Sequence, residues 1–128
     1  MVEDNEALMK EGKWDEAETA LLDFVSLHPE NSQGHALLGL CLGRKGEIST
    51  ASVQFQCAWI LDPRNWEAGK NLLKCYEYLG SHKEALELAH GILRVRPSDP
   101  DITRAIEKYT AILKSKKPID DRDKVWGR

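Results

Sequence analysis

Residues 32–65 read SQGHALLGLCLGRKGEISTASVQFQCAWILDPRN, and the main features of this stretch return on both sides of it. Four kinds of residue recur at intervals of 34 positions: Pro29, Pro63 and Pro97; Gly12, Gly46 and Gly80; Ala17, Ala51 and Ala85; and the polar Asn31, Asn65 and Asp99. Because four independent kinds of residue share one period, the chain contains an internal repeat.

Each recurring residue suits one boundary of a helix. The polar trio stands where a side chain can accept hydrogen bonds from the first turn of a helix. The glycines suit the left-handed conformation that ends a helix, and the prolines close a second helix. Ser81 and Glu84 have the spacing of a capping box. With the apolar periodicity, these signals predict helices over 32–45, 48–61, 66–79 and 82–95, and no strand.

The same residues resemble the tetratricopeptide repeat family, whose signature has recurring aromatic, Leu, Gly, Ala and Pro positions. The middle unit matches through His35, Leu38, Gly39, Leu42, Ala51, Phe55 and Pro63. The third unit matches through Gly69, Leu72, Leu73, Tyr76, Ala85, Ala89 and Pro97. The first unit retains Trp14, Ala17, Leu21, Phe24 and Pro29, but has Asp4 and Asn5 where the family prefers Leu and Gly.

The resemblance implies an all-α, right-handed α-solenoid of three helix pairs, the first one imperfect, followed by a covering helix. We therefore expect a repeat domain over residues 1–115, with units 1–31, 32–65 and 66–99 and a terminal helix over 100–115. Residues 116–128 form a charged C-terminal tail. Its Trp126 is expected either to pack on this chain or to anchor a partner.

Charge and composition exclude several classes of protein. The net charge is −3 and the pI is 5.8, so the chain lacks the basic balance of a nucleic-acid-binding protein. No apolar run approaches the roughly 20 residues that cross a bilayer. The three cysteines, Cys41, Cys57 and Cys75, lack the spacing of a zinc or redox motif and are interpreted as packing residues. They indicate a reducing compartment, and we expect a cytoplasmic protein.

The sequence contains none of the usual catalytic patterns. It has no clustered acid pair, no Cys/His or Ser/His/Asp arrangement and no phosphate-binding glycine loop. Its four histidines fall at unrelated places in the repeat and are interpreted as surface or packing residues. The sequence therefore predicts no enzyme, no catalytic residues, no cofactor and no metal site.

The resemblance instead implies a non-enzymatic adaptor that binds a partner peptide or helix in a concave groove lined by the first helix of each pair. Helical spacing places ten residues in this groove: Gln33, Leu37, Leu40, Arg44, Lys70, Asn71, Lys74, Tyr78, Arg104 and Lys108. Lys70 and Lys74 lie 34 residues before Arg104 and Lys108, so the four cations are predicted to form a patch for an acidic partner. The alternative is that they belong to solvated faces and are balanced by neighbouring glutamates.

One known use of the family is disfavoured. Members that grip the acidic tails of heat-shock chaperones do so with Lys, Asn and Arg side chains. The matching positions here are Val2, Glu6, Leu37, Glu67 and Asn71, and none carries a cation. A second function also stays open, a structural scaffold whose incompletely capped first unit stacks on another copy or in a larger complex.

Overall fold

A computed structural model shows an all-α chain. It describes residues 2–115, with side chains from Asp4 onward, so the charged tail and Trp126 lie outside the described residues. The helices are α1 (Val2–Lys10), α2 (Trp14–Leu27), α3 (Ser32–Arg44), α4 (Ile48–Leu61), α5 (Trp66–Leu79), α6 (His82–Val95) and α7 (Pro100–Ser115). The bounds of α3 to α7 agree with the predicted ones to within one residue. None of the helices in this range is long and apolar enough to cross a bilayer.

The helices form two compact units that divide between Gly80 and Ser81. In the first unit, α1 to α5 pack in chain order, each against the next, and α1 also contacts α3. In the second unit, α6 packs against α7. This sequential packing of neighbouring helices is typical of repeat proteins, in which each element buries its apolar face against the adjacent one.

The repeated turn residues act as the sequence predicts. Gly12, Gly46 and Gly80 have φ angles of 77°, 84° and 75°, a left-handed conformation that other residues rarely adopt. Asn31 caps α3 by accepting a hydrogen bond from the Gly34 amide at 2.8 Å. The helix starts and stops are therefore set by local side-chain and backbone chemistry.

The predicted capping box at α6 is wrong. Ser81 occupies the N-cap position, but its side chain accepts no hydrogen bond from the first turn of this helix. Asn65 has nearly the same backbone conformation (φ −81°, ψ 67°, against φ −85°, ψ 68°) and does cap α5. The longer asparagine side chain reaches the first-turn amide from this conformation, whereas the shorter serine hydroxyl does not.

The recurring alanines fill the core of both units. Ala17, Ala51 and Ala85 are fully buried, because a small side chain lets the second helix of each pair approach its neighbours closely. In the second unit, Ile102 and Tyr109 of α7 are also buried. In the first unit, Asn5 of α1 is only 2% exposed, so the irregular first helix still packs inward at the position where the family prefers Gly.

Two hydrogen-bonded links join elements of the first unit. His35 takes the place of the aromatic residue in the family signature, and its ring nitrogens lie 2.8 Å from Gln54 Oε1 and 2.9 Å from the Pro29 carbonyl oxygen. Ser32 Oγ donates to the Ala58 carbonyl at 2.8 Å and accepts from Asn65 Nδ2 at 3.0 Å. These links hold α3 to α4 and to the start of α5.

Candidate functional site

A pocket of about 160 Å³ lies in the first unit, between α3 and α5. Both helices are the first members of their repeat pairs, as predicted for a groove. The pocket is lined by Gly39, Leu40, Gly43 and Arg44 from α3, by Phe55 from α4, and by Asn71, Lys74 and Cys75 from α5. Four of the ten residues predicted for the groove therefore meet at one place: Leu40, Arg44, Asn71 and Lys74.

Glycine and phenylalanine shape the floor of the pocket. A Cβ atom at Gly39 would lie 2.8 Å from the ring of Phe55, so only a glycine lets this buried ring sit against α3. At Gly43, one turn further along α3, a Cβ atom would meet nothing within 4 Å. The floor is therefore tightly packed at Gly39 and open at Gly43.

Two cations at the pocket, Arg44 and Lys74, have no carboxylate partner within residues 2–115. Neither Arg44 nor Lys74 forms an ion pair with an acid among the residues that the structure describes. Arg44 instead lies over the ring of Trp14, with 5.7 Å from its guanidinium carbon to the ring centroid, a cation–π distance. Both side chains are exposed, so their charges face solvent and any ligand in the pocket.

Lys45, next to Arg44 in sequence, has the opposite environment. Its Nζ lies 2.9 Å from Asp15 Oδ1, 2.5 Å from Glu18 Oε1 and 3.9 Å from Glu47 Oε2. Hydrogen bonds from the lysine to Asp15 and Glu18 raise the pKa of Lys45 above its ordinary value. This lysine therefore has a structural role, because it joins the first turn of α2 to the turn between α3 and α4.

Other predicted groove residues of the first unit have different positions. Leu37 is only 5% exposed and belongs to the core, so its assignment to a ligand-facing surface needs correction: its side chain packs inward. Gln33 is exposed and donates a hydrogen bond from Nε2 to Glu6 Oε2 at 3.4 Å. Lys70 lies over the ring of Trp66 at 5.1 Å.

The remaining residues predicted for the groove are Tyr78, Arg104 and Lys108. Tyr78 is 75% exposed near the end of α5. Arg104 and Lys108 are exposed in the second unit, where Arg104 bonds to Asp101 in the first turn of α7. The convergence of the four cations on one patch stays a prediction. For Arg104, the balancing acid is an aspartate three residues before it rather than a glutamate.

Half of the pocket lining was not predicted from the sequence: Gly39, Gly43, Phe55 and Cys75. The predicted groove residues lie on one face of each first helix, whereas Phe55 comes from the second helix of the pair. Two glycines four residues apart in α3 were the available signal, because glycines on one helical face allow a close approach or leave open space.

The cysteine in the pocket is not an activated nucleophile. Burial raises the pKa of the Cys75 thiol, and it raises the pKa of Cys41 to about 11. A thiol with a raised pKa carries little thiolate at neutral pH, and the thiolate is the reactive form. Within residues 2–115, no group of three or more His, Cys, Asp or Glu side chains is arranged to hold a metal ion.

No protein-family model and no curated protein matches the sequence. Solved structures, however, are similar over most of the chain. The first repeat domain of Spaghetti (RPAP3), bound to the HSP90 peptide SRMEEVD, is 20% identical with a TM-score of 0.74, covering 88% of this chain and 91% of that one. The Sgt2 domain from Aspergillus fumigatus is 17% identical with a TM-score of 0.73, covering 93% and 83%.

The chain has the fold of tetratricopeptide repeat domains. A third similar structure is that of the second repeat domain of human RPAP3, in complex with the HSP70 peptide SGPTIEEVD. It is 18% identical to this chain with a TM-score of 0.73, and the match covers 84% of this chain and 90% of that one. Seven α-helices in three pairs plus a final helix therefore correspond to a known repeat architecture. The pocket lies on the first helices of the second and third repeats of this fold.

Proposed function

We propose that this chain is a non-catalytic adaptor that binds an acidic partner peptide at the pocket between α3 and α5. The observation that carries the proposal is the pair of cations, Arg44 and Lys74, which flank an apolar floor without carboxylate partners among residues 2–115. The peptides seen on domains of the same fold, SRMEEVD and SGPTIEEVD, are themselves acidic, which supports this choice of ligand.

The residues that line the pocket indicate how such a peptide would be recognised. A carboxylate of the peptide is expected near Arg44 and Lys74, where a new ion pair displaces no carboxylate of residues 2–115. The Asn71 amide has both a donor and an acceptor for the peptide backbone. An apolar side chain next to the carboxylate fits over Leu40 and the Phe55 ring. The ligand is therefore an acidic residue followed or preceded by an apolar one.

Docking of a chaperone tail through the family's cationic clamp is not part of the proposal. Glu6 and Glu67 carry negative charge at two of the clamp positions, and Leu37 is buried at a third. A peptide ending in EEVD would meet the Glu67 carboxylate where the clamp has a lysine, and the Glu6 carboxylate where the clamp has an asparagine. The expected ligand is therefore defined by the pocket and not by the clamp.

The test is a selection of peptides from a random display library on the full chain, followed by fluorescence anisotropy with the strongest peptide. Lys74→Glu reverses one pocket charge, and Gly43→Leu fills the open part of the floor without changing charge. Lys83→Glu is the matched control, because Lys83 is also an exposed helical lysine and is not part of the pocket. SRMEEVD serves as the comparison peptide.

The selected peptides are expected to be rich in Asp and Glu next to apolar residues and to bind more tightly than SRMEEVD. Lys74→Glu and Gly43→Leu should each weaken binding at least tenfold, and Lys83→Glu should leave it within about twofold. Equal binding by all three variants would show that the peptide binds elsewhere. A set of peptides without acidic residues would contradict the proposed ligand class.

Two coarser expectations accompany the proposal. The cytoplasm is the expected compartment, on the grounds of cysteine usage. Self-association through the first repeat is the alternative function, and no structural observation favours it over peptide binding. Sedimentation of the full chain over a concentration series distinguishes the two functions, because an adaptor of the proposed kind stays monomeric without its peptide.

A further inference from the structure

Trp14 contacts the side chain of Arg44, one of the two cations of the peptide pocket. Arg44 lies in the last turn of α3 and lines the pocket, whereas Trp14 is the first residue of α2 and, among the described residues, is not part of the lining. The guanidinium carbon lies 5.7 Å from the centroid of the Trp14 ring, within the roughly 6 Å over which an aromatic face attracts a cation. The ring therefore restrains a long side chain that has many rotamers when nothing holds it.

The start of α2 holds two consecutive basic residues in chemically different ways. Asp15 and Glu18 form ion pairs with Lys45, with distances to its Nζ of 2.9 and 2.5 Å. Arg44 has no carboxylate partner within residues 2–115 and contacts the neutral indole ring instead. A guanidinium that stacks on a ring face keeps the N–H groups at its edge available for bidentate pairing with a carboxylate. Arg44 is thus restrained and still keeps its charge and its donors for a ligand.

The repeat does not require a tryptophan at this position. Shifted by 34 positions, Trp14 corresponds to Ile48 at the start of α4 and to His82 at the start of α6, and all three residues are half-buried. The position of Arg44 is occupied in the next repeat by Tyr78. Since the fold accepts a smaller side chain at the start of a second helix, packing within the repeat does not explain the pairing of an indole with a guanidinium.

We propose that Trp14 is a positioning residue of the peptide site, whose ring holds the Arg44 guanidinium where it pairs with a carboxylate of the ligand. This inference rests on the proposed function and adds a residue outside the pocket lining to it. An arginine side chain that is already ordered loses less conformational freedom when the ligand binds. Loss of the ring is therefore expected to weaken binding about three- to tenfold, the cost of ordering one long side chain.

Two other roles of Trp14 would also explain weaker binding after its replacement. Direct contact of the ring with the peptide is one, and support of the start of α2 is the other. A double-mutant cycle distinguishes both from positioning. A residue that acts through Arg44 has no effect on binding once the guanidinium is removed, whereas a peptide contact or a folding effect persists.

The experiment measures binding of the full chain to a fluorescein-labelled peptide by fluorescence anisotropy, with the tightest-binding acidic peptide from the library selection described above. Trp14→Ile removes the ring and introduces the residue found at the equivalent position of α4, so it suits the fold. Trp14→Phe keeps an aromatic face, and Arg44→Met removes the charge but keeps a long side chain. Lys74→Met provides the matched control cycle, because Lys74 lines the pocket but has no ring contact within residues 2–115.

A second measurement needs no peptide. In the ¹⁵N-labelled chain, the Arg44 Nε–Hε resonance is the one that Arg44→Met removes. The ring current of Trp14 displaces this resonance, so Trp14→Ile should move it toward the position of solvated arginines. This readout reports on the contact itself and is independent of the ligand.

Trp14→Ile should weaken peptide binding about three- to tenfold, and Trp14→Phe should keep it within about twofold of the unaltered chain. In the presence of Arg44→Met, Trp14→Ile should change binding by less than about twofold. In the presence of Lys74→Met, it should again weaken binding about three- to tenfold, because Lys74 does not depend on the ring.

Equal weakening by Trp14→Ile with and without the Arg44 guanidinium would overturn the inference, because Trp14 would then act by another route. So would an Arg44 resonance that Trp14→Ile does not move. In both cases Lys74→Glu would still weaken binding, and the proposed function would stand. If Lys74→Glu leaves binding unchanged, the proposed function fails, and the role of Trp14 fails with it.

Discussion

Alanine in place of either of two glycines on α3 is expected to change the stability of the protein in opposite directions. Gly39 and Gly43 lie one turn apart in one helix, and both have ordinary helical backbone conformations. A Cβ atom at Gly39 would lie 2.8, 2.9 and 3.0 Å from three ring atoms of Phe55, whereas at Gly43 it would meet nothing within 4 Å. Replacement by alanine is therefore the smallest change that distinguishes the effect of packing on stability from the effect of helix propensity.

The two effects have comparable sizes. Alanine in place of glycine stabilises a helix interior by up to about 1 kcal/mol, because the unfolded chain loses less conformational freedom on folding. Overpacking of a buried site costs about 1–3 kcal/mol. The Phe55 ring is buried and cannot move outward freely. Gly43→Ala is thus expected to stabilise the protein by up to about 1 kcal/mol, and Gly39→Ala to destabilise it by up to about 2 kcal/mol.

Urea denaturation followed by circular dichroism at 222 nm measures both changes. The midpoint should rise for Gly43→Ala and fall for Gly39→Ala, with equal slopes, so that the comparison concerns stability alone. The double variant should give the sum of the two changes, unless α3 shifts as a whole. If both variants move the midpoint in the same direction by a similar amount, the close approach of Phe55 to Gly39 does not determine the packing of α3.

Three further predictions concern capping, thiol reactivity and pH. Asn65→Ala should lower the free energy of unfolding by about 1–2 kcal/mol in urea denaturation, because both of its side-chain hydrogen bonds are lost. Burial raises the pKa of Cys41 and Cys75, so iodoacetamide at pH 8 should modify Cys57 first. Peptide mapping by mass spectrometry measures the order of modification. Faster labelling of Cys75 than of Cys57 would contradict the burial of Cys75. The pKa of Lys45 is raised in the folded state, so its stabilising contribution is present below the ordinary lysine pKa of about 10.4 and is lost as pH rises above it. The difference in unfolding free energy between the unaltered chain and Lys45→Met should accordingly shrink between pH 9 and about pH 12, and a constant difference would argue against the ion pairs.

The helix pattern was predictable from the sequence because its determinants are local. A glycine with positive φ or an asparagine cap acts within three or four residues, so Gly46 or Asn31 identifies a boundary without knowledge of the rest of the chain. Ser81 shows where this reasoning stops. Its residue type and spacing satisfy the rule for a cap, but the reach of the side chain from its backbone conformation decides whether the bond forms.

The site was predictable only in part, for a geometric reason. Leu40, Arg44, Asn71 and Lys74 follow from helical spacing on α3 and α5, and they do line one pocket. Helical spacing also predicts Leu37 on this surface, but Leu37 is buried. Spacing within α3 does not show which way the helix is turned about its own axis against its neighbours. The contribution of Phe55 depends on how closely α4 approaches α3, and no spacing within a single helix encodes that distance.

The double role of Asn65 affects how repeats of this kind can be exchanged. Its oxygen accepts from the Ala68 amide in the next repeat and its nitrogen donates to Ser32 at the start of its own repeat, so one amide group serves both helix initiation and the junction between repeats. An aspartate, as found at the equivalent Asp99, has no hydrogen to donate at neutral pH. Recombination with a breakpoint inside the unit 32–65 could therefore preserve every periodic residue type and still lose this junction. Chimeric arrays built from this sequence need their breakpoints placed so that Ser32 and Asn65 are inherited together.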